Sequence, residues 1–278
     1  MVLFVVIITT LVYVFSKALG MGSLGLAGVA LIIAGIMSIG SYYYSDKLVL
    51  ATTGAKEIKK NDFPQYYRTV ENLCIASGIS MPRVYIVNDP SPNAFASGRD
   101  PKHAVVCATT GLLEKLNDVE LEGVIAHELS HIKNYDIRLM GVVAILVGFV
   151  AILSDLFIRT TFYSRSDDSR GNTIFLVLAI VFAILSPIAA TLIQLAVSRK
   201  REYLADASGA LLTRYPEGLA SALEKLARDH TPPRTASNAT AHLFIENPFD
   251  NRKVKIFFTG LFNTHPPLEE RIKILRAM

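Results

Sequence analysis

The apolar residues of this chain come in four long blocks, Val2–Phe15, Leu24–Tyr44, Leu139–Ile158 and Thr173–Val197. That grouping rules out an ordinary water-soluble domain. An apolar helix needs roughly 20 residues to cross a ~30 Å hydrocarbon core. The last three blocks reach that length with Asp155 as the only charge inside them, and the first reaches it by borrowing residues up to Met21. Val2–Phe15 lacks the basic start of a secretory signal, and a second apolar block follows within a few residues. The sequence therefore predicts four membrane helices in two hairpins, residues 1–44 and 139–197, alternating with polar segments 45–138 and 198–278.

Basic residues orient this arrangement. Lys47, Lys56, Lys59, Lys60, Lys133, Arg138, Arg199, Lys200 and Arg201 flank the hairpins on the side of the polar segments. The opposite loops hold Lys17 and Arg159, Arg165 and Arg170. By the positive-inside rule both polar segments face the cytoplasm, which makes this a multi-pass protein of the cell (inner or plasma) membrane. The net charge of +4 is accounted for by these flanks, so no nucleic-acid partner is implied. Cys74 and Cys107 lack a CxxC spacing and are expected as free thiols.

Within the first polar segment, Tyr66, Val70, Leu73 and Cys74 recur at helical spacing over Pro64–Ser77. The β-branched runs "RVYIV" (83–87) and "HAVVCAT" (103–109) predict strands, and "NDPSPNAFASGRDPK" between them predicts turns around a short extended piece. Asp118 is placed to cap a helix running to Lys133. In the second polar segment helices are expected over Ser198–Leu212 and Pro216–Arg228, and Thr264 is placed to cap a terminal one. A proline is tolerated in that first turn.

The chemistry centres on "AHELSHIKNYD", residues 126–136. His127 and His131, four apart on the predicted helix, project from one face, and zinc accepts such a pair of neutral imidazoles. Glu128 points elsewhere on the helix and suits a general base acting on water. A catalytic zinc needs a third protein ligand and an open position. "SRKREYLADAS", just after the fourth span, offers Glu202 and Asp206, four apart. The third span begins just after the histidines and the fourth ends just before these carboxylates. An antiparallel hairpin would bring both sets to one membrane face. Glu202 is taken as the third ligand and Asp206 as the carboxylate orienting a histidine, though the two could exchange roles.

"HELSH", "SRKREYLADAS", "NAFASG" and "THPPLEERI", flanked by four spans, together resemble the HtpX-type membrane zinc metalloproteases, and more distantly the CAAX prenyl protease family. Four spans are fewer than the prenyl protease's membrane barrel requires. The resemblance implies one zinc ion per chain on His127, His131 and Glu202, with Glu128 as catalytic base. It also implies a compact α+β gluzincin-like domain whose small sheet packs on the active-site helices of an α-helical membrane protein. Its activity would be endoproteolysis of membrane or unfolded polypeptides at the cytoplasmic face of the bilayer, linked to quality control and envelope stress. No oligomeric state is implied.

Other residues complete the expected site. His265 is the candidate donor to the tetrahedral oxyanion, or else a residue packing the terminal helix. Asn93, Ala94, Phe95 and Ala96 are candidates for pairing with substrate backbone, with Phe95 closing over the metal as a lid; the alternative is a simple turn. A non-catalytic adaptor with a structural zinc would need no base at position 128, and a transporter would need charged or broken helices at the bilayer midplane.

Overall fold

The computed structural model describes residues 23–140, 199–234 and 266–278, together with Val5, Val6 and Thr9, while many side chains of residues 23–45 stand outside the description. The predicted first, third and fourth spans lie wholly or almost wholly outside the described residues, and the second falls within α1, Ser23–Thr53. Among the described residues no helix is long and apolar enough to cross a membrane.

After α1 the chain forms β1 (Lys56–Glu57), α2 (Pro64–Ser77), β2 (Arg83–Val87), β3 (Ala94–Gly98), β4 (Ala104–Thr109), α3 (Thr110–Lys115) and α4 (Asp118–Lys133). Three further helices follow: α5 (Arg199–Thr213), α6 (Pro216–Ala227) and α7 (Leu268–Leu275). Helix α2 begins with proline at its first position and ends on Gly78 in the left-handed conformation, φ 71°, whose N–H bonds Cys74 O. Its buried residues are Tyr66, Val70, Leu73 and Cys74, the stripe expected from the periodicity. The strand run 83–87 forms as predicted, and His103 falls in a 3-10 turn ahead of β4.

The sheet order is β1-β2-β4-β3, with β2 and β4 parallel and both outer pairs antiparallel. Side chains alternate between two apolar faces. On one face Val84, Ile86, Ala94, Ala96, Val106 and Ala108 join Val124, Ile125, Leu129 and Ile132 of α4 and Leu219 and Leu223 of α6. On the other, Tyr85, Val87, Phe95, Val105 and Cys107 pack with Val49 and Leu50 from the end of α1. Both cysteines are free and buried, and burial pushes the Cys74 thiol up to about 11.

Two helix starts differ from expectation. Asn117, not Asp118, caps α4: Asn117 is extended (φ −79°, ψ 174°), its side chain accepts from Glu120 N, and Glu120 accepts from Asn117 N. Asp118 is instead the first helical residue, where its charge suits the helix dipole. The terminal helix begins at Leu268, because Pro267 holds extended backbone (φ −53°, ψ 130°) and provides no side-chain cap. Thr264 lies outside the described residues.

Glu120 does more than cap. Its carboxylate accepts from Ser221 Oγ at 2.7 Å and Lys225 Nζ at 2.7 Å, tying α4 to α6. Burial raises its pKa, but Lys225, Asn117 and Ser221 outweigh that and lower it. The linkage sign follows: this stability is present above the ordinary glutamate pKa and is lost as pH falls through the lowered folded value. Glu120→Ala should therefore cost about 1–2 kcal/mol at neutral pH, read as a shift in denaturation midpoint, and less in acid. An equal cost at both pH values would contradict the ionised contact.

Candidate active site

Helix α4 carries the two histidines on its most buried stretch, with every residue from Gly123 to Ile132 buried. Helix α5 crosses it closely. The face of α5 turned inward reads Glu202, Ala205, Asp206, Gly209 and Ala210, all buried. A Cβ on Gly209 would stand 3.1 Å from His127 N, so the small residue marks a close approach of the two backbones. This approach, on the same face of α5 as Glu202, is what delivers that carboxylate to the imidazoles.

The three predicted ligands converge. His127 Nε2 and His131 Nε2 are 3.1 Å apart, Glu202 Oε2 is 3.7 Å from the first, and Oε1 is 3.5 Å from the second. All three ligand atoms fall within 4.8 Å of one another, and Glu202 is 0% exposed. Tetrahedral bonds of about 2.0–2.1 Å put neighbouring ligand atoms at about 3.3 Å, so the donor set fits one zinc-sized ion.

The outer nitrogens support the same reading. His131 Nδ1 lies 3.0 Å from Asp136 Oδ2, and His127 Nδ1 lies 2.9 Å from Asp206 Oδ1. The second contact supports His127 Nδ1 electrostatically. Carboxylates facing both Nδ1 atoms keep the protons on that side and turn the Nε2 lone pairs toward each other. At 3.1 Å the two Nε2 atoms are close enough to share a proton or to flank a cation. Consistent with that, burial alone would lower the His127 pKa, yet Asp206 and Glu202 lift it to about 9. The point where the ligands meet attracts positive charge.

Each carboxylate is itself held by an arginine. Arg271 of α7, fully buried, donates from Nε to Asp206 Oδ2 at 2.8 Å and from Nη2 to Oδ1 at 2.6 Å, and its Nη1 is 3.7 Å from Glu202 Oε2. Arg201 pairs through Nη1 with Asp136 Oδ1. Asp136 reaches His131 because Tyr135 takes the left-handed conformation, φ 60°, after the end of α4, and residues 136–140 turn helical again.

Asp136, Arg201 and Arg271 have no place in the expected site. Arg271 had a signal. Leu268, Arg271, Ile272 and Leu275 form the inward stripe of α7, and an arginine inside an apolar stripe needs a buried anion. Glu128, one residue beyond His127, is buried, and its charge reaches the Arg271 guanidinium, which burial would loosen but which Asp206, Glu202 and Glu128 hold protonated. His265 lies outside the described residues. Asn93 is tied to β4, donating to Thr109 Oγ1 at 2.9 Å and accepting from Thr109 N at 2.9 Å, while Ala94 and Ala96 face α4. The lid expected of Phe95 does not form: alternation along β3 turns its ring to the far face of the sheet, against Val49 and Leu50.

A buried HExxH helix, a crossing helix supplying a carboxylate, and a sheet alongside define a metallopeptidase. The chain belongs to peptidase family M48, whose sequence profile matches residues 60–278. It is 52% identical over 237 residues to a protease HtpX homologue of Tropheryma whipplei (strain Twist), covering 85% of this chain and 80% of that one. It is 46% identical over 283 residues to another protease HtpX homologue, from Caldanaerobacter subterraneus subsp. tengcongensis, covering 100% and 92%. Among solved structures it superimposes on Ste24p of S. mikatae with a TM-score of 0.54 at 18% identity, over 97% of this chain and 61% of that one, a likeness of fold. The protein is thus a metalloprotease, a hydrolase of peptide bonds.

Proposed function

We propose that the chain is an integral-membrane zinc endopeptidase that cleaves membrane or misfolded polypeptides at the cytoplasmic surface of the bilayer, as part of protein quality control. The observation that carries this is the buried meeting of His127, His131 and Glu202, with both histidines backed by carboxylates. The four apolar blocks of the sequence support the membrane location. A zinc ion held by these three residues would polarise the scissile carbonyl and lower the pKa of a bound water from 15.7 toward roughly 7. Glu128, buried beside His127 on α4, is the general base in this reading. It takes a proton from the attacking water and returns it to the leaving amine. Asp206 and Asp136 hold the imidazoles in the tautomer that presents Nε2, and Arg271 keeps Asp206 ionised.

Strand β3 supports a mode of substrate binding. Among the described residues it is an outer strand of the sheet and packs on α4, so an extended peptide added along residues 93–96 would lie beside the active-site helix. Recognition through backbone suits an enzyme that must accept many sequences. His265 is retained as a candidate oxyanion donor on the sequence alone.

Metal removal tests the reading. The purified full chain in proteoliposomes should release peptides from an unfolded membrane protein. A chelator should abolish the release, and stoichiometric zinc should restore it. Peptide release that persists after complete metal removal would end the proposal.

A further inference from the structure

Two histidine–carboxylate–arginine relays back the metal point, and they are not equivalent. On the His127 side, Arg271 is 1% exposed and grips both oxygens of Asp206. On the His131 side, the side chain of Arg201 is 38% exposed and offers one nitrogen to one oxygen of Asp136, itself 2% exposed. Arg201 immediately precedes Glu202 on α5. Adjacent residues on a helix point about 100° apart, so one turn of α5 can send a carboxylate to the metal point and a guanidinium to the group behind His131.

We propose that Arg201 is a positioning residue for the metal centre: through Asp136 it fixes His131 and locks the helix carrying Glu202 to the end of the helix carrying the histidines. The inference rests on the zinc-site reading above and adds to it the residue that couples the two ligand-bearing helices. The physical need is plain. Asp136 is a buried carboxylate with His131 Nδ1 on one oxygen, and without a cation on the other its charge would be poorly compensated. Asp136 also follows a residue in a left-handed conformation, beyond the regular part of α4, so helical hydrogen bonds alone do not place it. Because the contact comes from a single nitrogen, a point charge can replace it. The Arg271 fork, gripping two oxygens, cannot be replaced so simply.

The test measures zinc affinity of the full chain in detergent by competition with a chromophoric chelator, alongside the absorption spectrum of the cobalt(II)-substituted site. Neither readout depends on peptidase activity. Arg201→Ala should weaken zinc binding by about 10–100-fold and alter the cobalt spectrum, while Arg201→Lys should restore both to near wild type. Arg199→Ala, two residues away and exposed, should change neither. In an Asp136→Asn background, Arg201→Ala should have little further effect, since the relay is already broken. Wild-type affinity in Arg201→Ala overturns the proposal, and so does an undiminished effect of Arg201→Ala when Asp136 is already Asn. Should Arg201→Ala fail to fold, Arg201→Lys against Arg201→Gln makes the same comparison: equal zinc affinities overturn it, and a deficit confined to Gln supports it. A wild-type chain that takes up no zinc would overturn the zinc reading itself, and the relay with it.

Discussion

Glu128→Gln should lower kcat for peptide hydrolysis by about 10²–10⁴-fold while leaving zinc content at one ion per chain. The substitution keeps the size of the side chain and removes its ability to take a proton. Glu128 sits inside the buried stretch of α4 next to His127 but is not among the three groups that meet, so losing its charge should leave metal binding intact. The contrast is with Glu202→Gln, which takes the charge from the proposed third ligand and should lose metal and activity together. Turnover measured against metal content separates the two. A Glu128→Gln protein that still cleaves, with wild-type zinc content, would show that the base lies elsewhere and would dismantle the mechanism above.

The second large effect belongs to Arg271. Replacing it with alanine leaves Asp206 buried with His127 as its remaining ion-pair partner among the described residues, a loss expected to cost about 3–5 kcal/mol of stability. Arg271→Lys should recover little, because a lysine cannot reproduce the two-oxygen fork. The pH dependence gives a separate check. Burial raises the Asp206 pKa, but Arg271 and His127 outweigh it and bring it down to about 2. A depressed carboxylate pKa contributes stability that is present above the ordinary value of 3.8 and is lost as pH falls through about 2. Removing Arg271 should lift the folded value, so the variant's acid-unfolding midpoint moves to higher pH. An unchanged acid limb, followed by circular dichroism, would mean that Asp206 does not depend on this arginine.

The two effects differ in kind because the residues do different physical work. In the proposed mechanism Glu128 acts on the reacting atoms, so its replacement is read in the rate. Arg271 is far along the chain from the histidines and acts by fixing a carboxylate that in turn fixes one imidazole. A variant at Arg271 should therefore lose stability and metal affinity together, whereas one at Glu128 should lose only the rate.

Much of this protein was legible before its fold was known, wherever the cause was local. The spacing of His127 and His131 is a property of one helix, and so is the stripe Tyr66, Val70, Leu73 and Cys74. Strand 83–87 announced itself through β-branched residues bounded by turns. Glu202 could be brought to the histidines only by assuming that the third and fourth apolar blocks form a hairpin. In the structure it arrives through the close passage of α5 over α4 at Gly209.

What stayed hidden depended on contacts between distant segments or on backbone angles that spacing does not encode. The left-handed Tyr135 swings Asp136 back to His131, and no periodicity predicts that reversal. The face to which Phe95 turns was decided by strand register: Phe95 stands opposite Cys107, with the end of α1 behind it, so it became core rather than lid. Arg201 reads as a surface charge, and the apolar stripe around Arg271 names no partner for it, until α4, α5 and α7 are packed together. Sequence alone determined which groups could bind a metal, because ligand chemistry and helical pitch are local. Tertiary structure decided how those groups are held, because a buried charge takes its role from whichever opposite charge the fold places beside it.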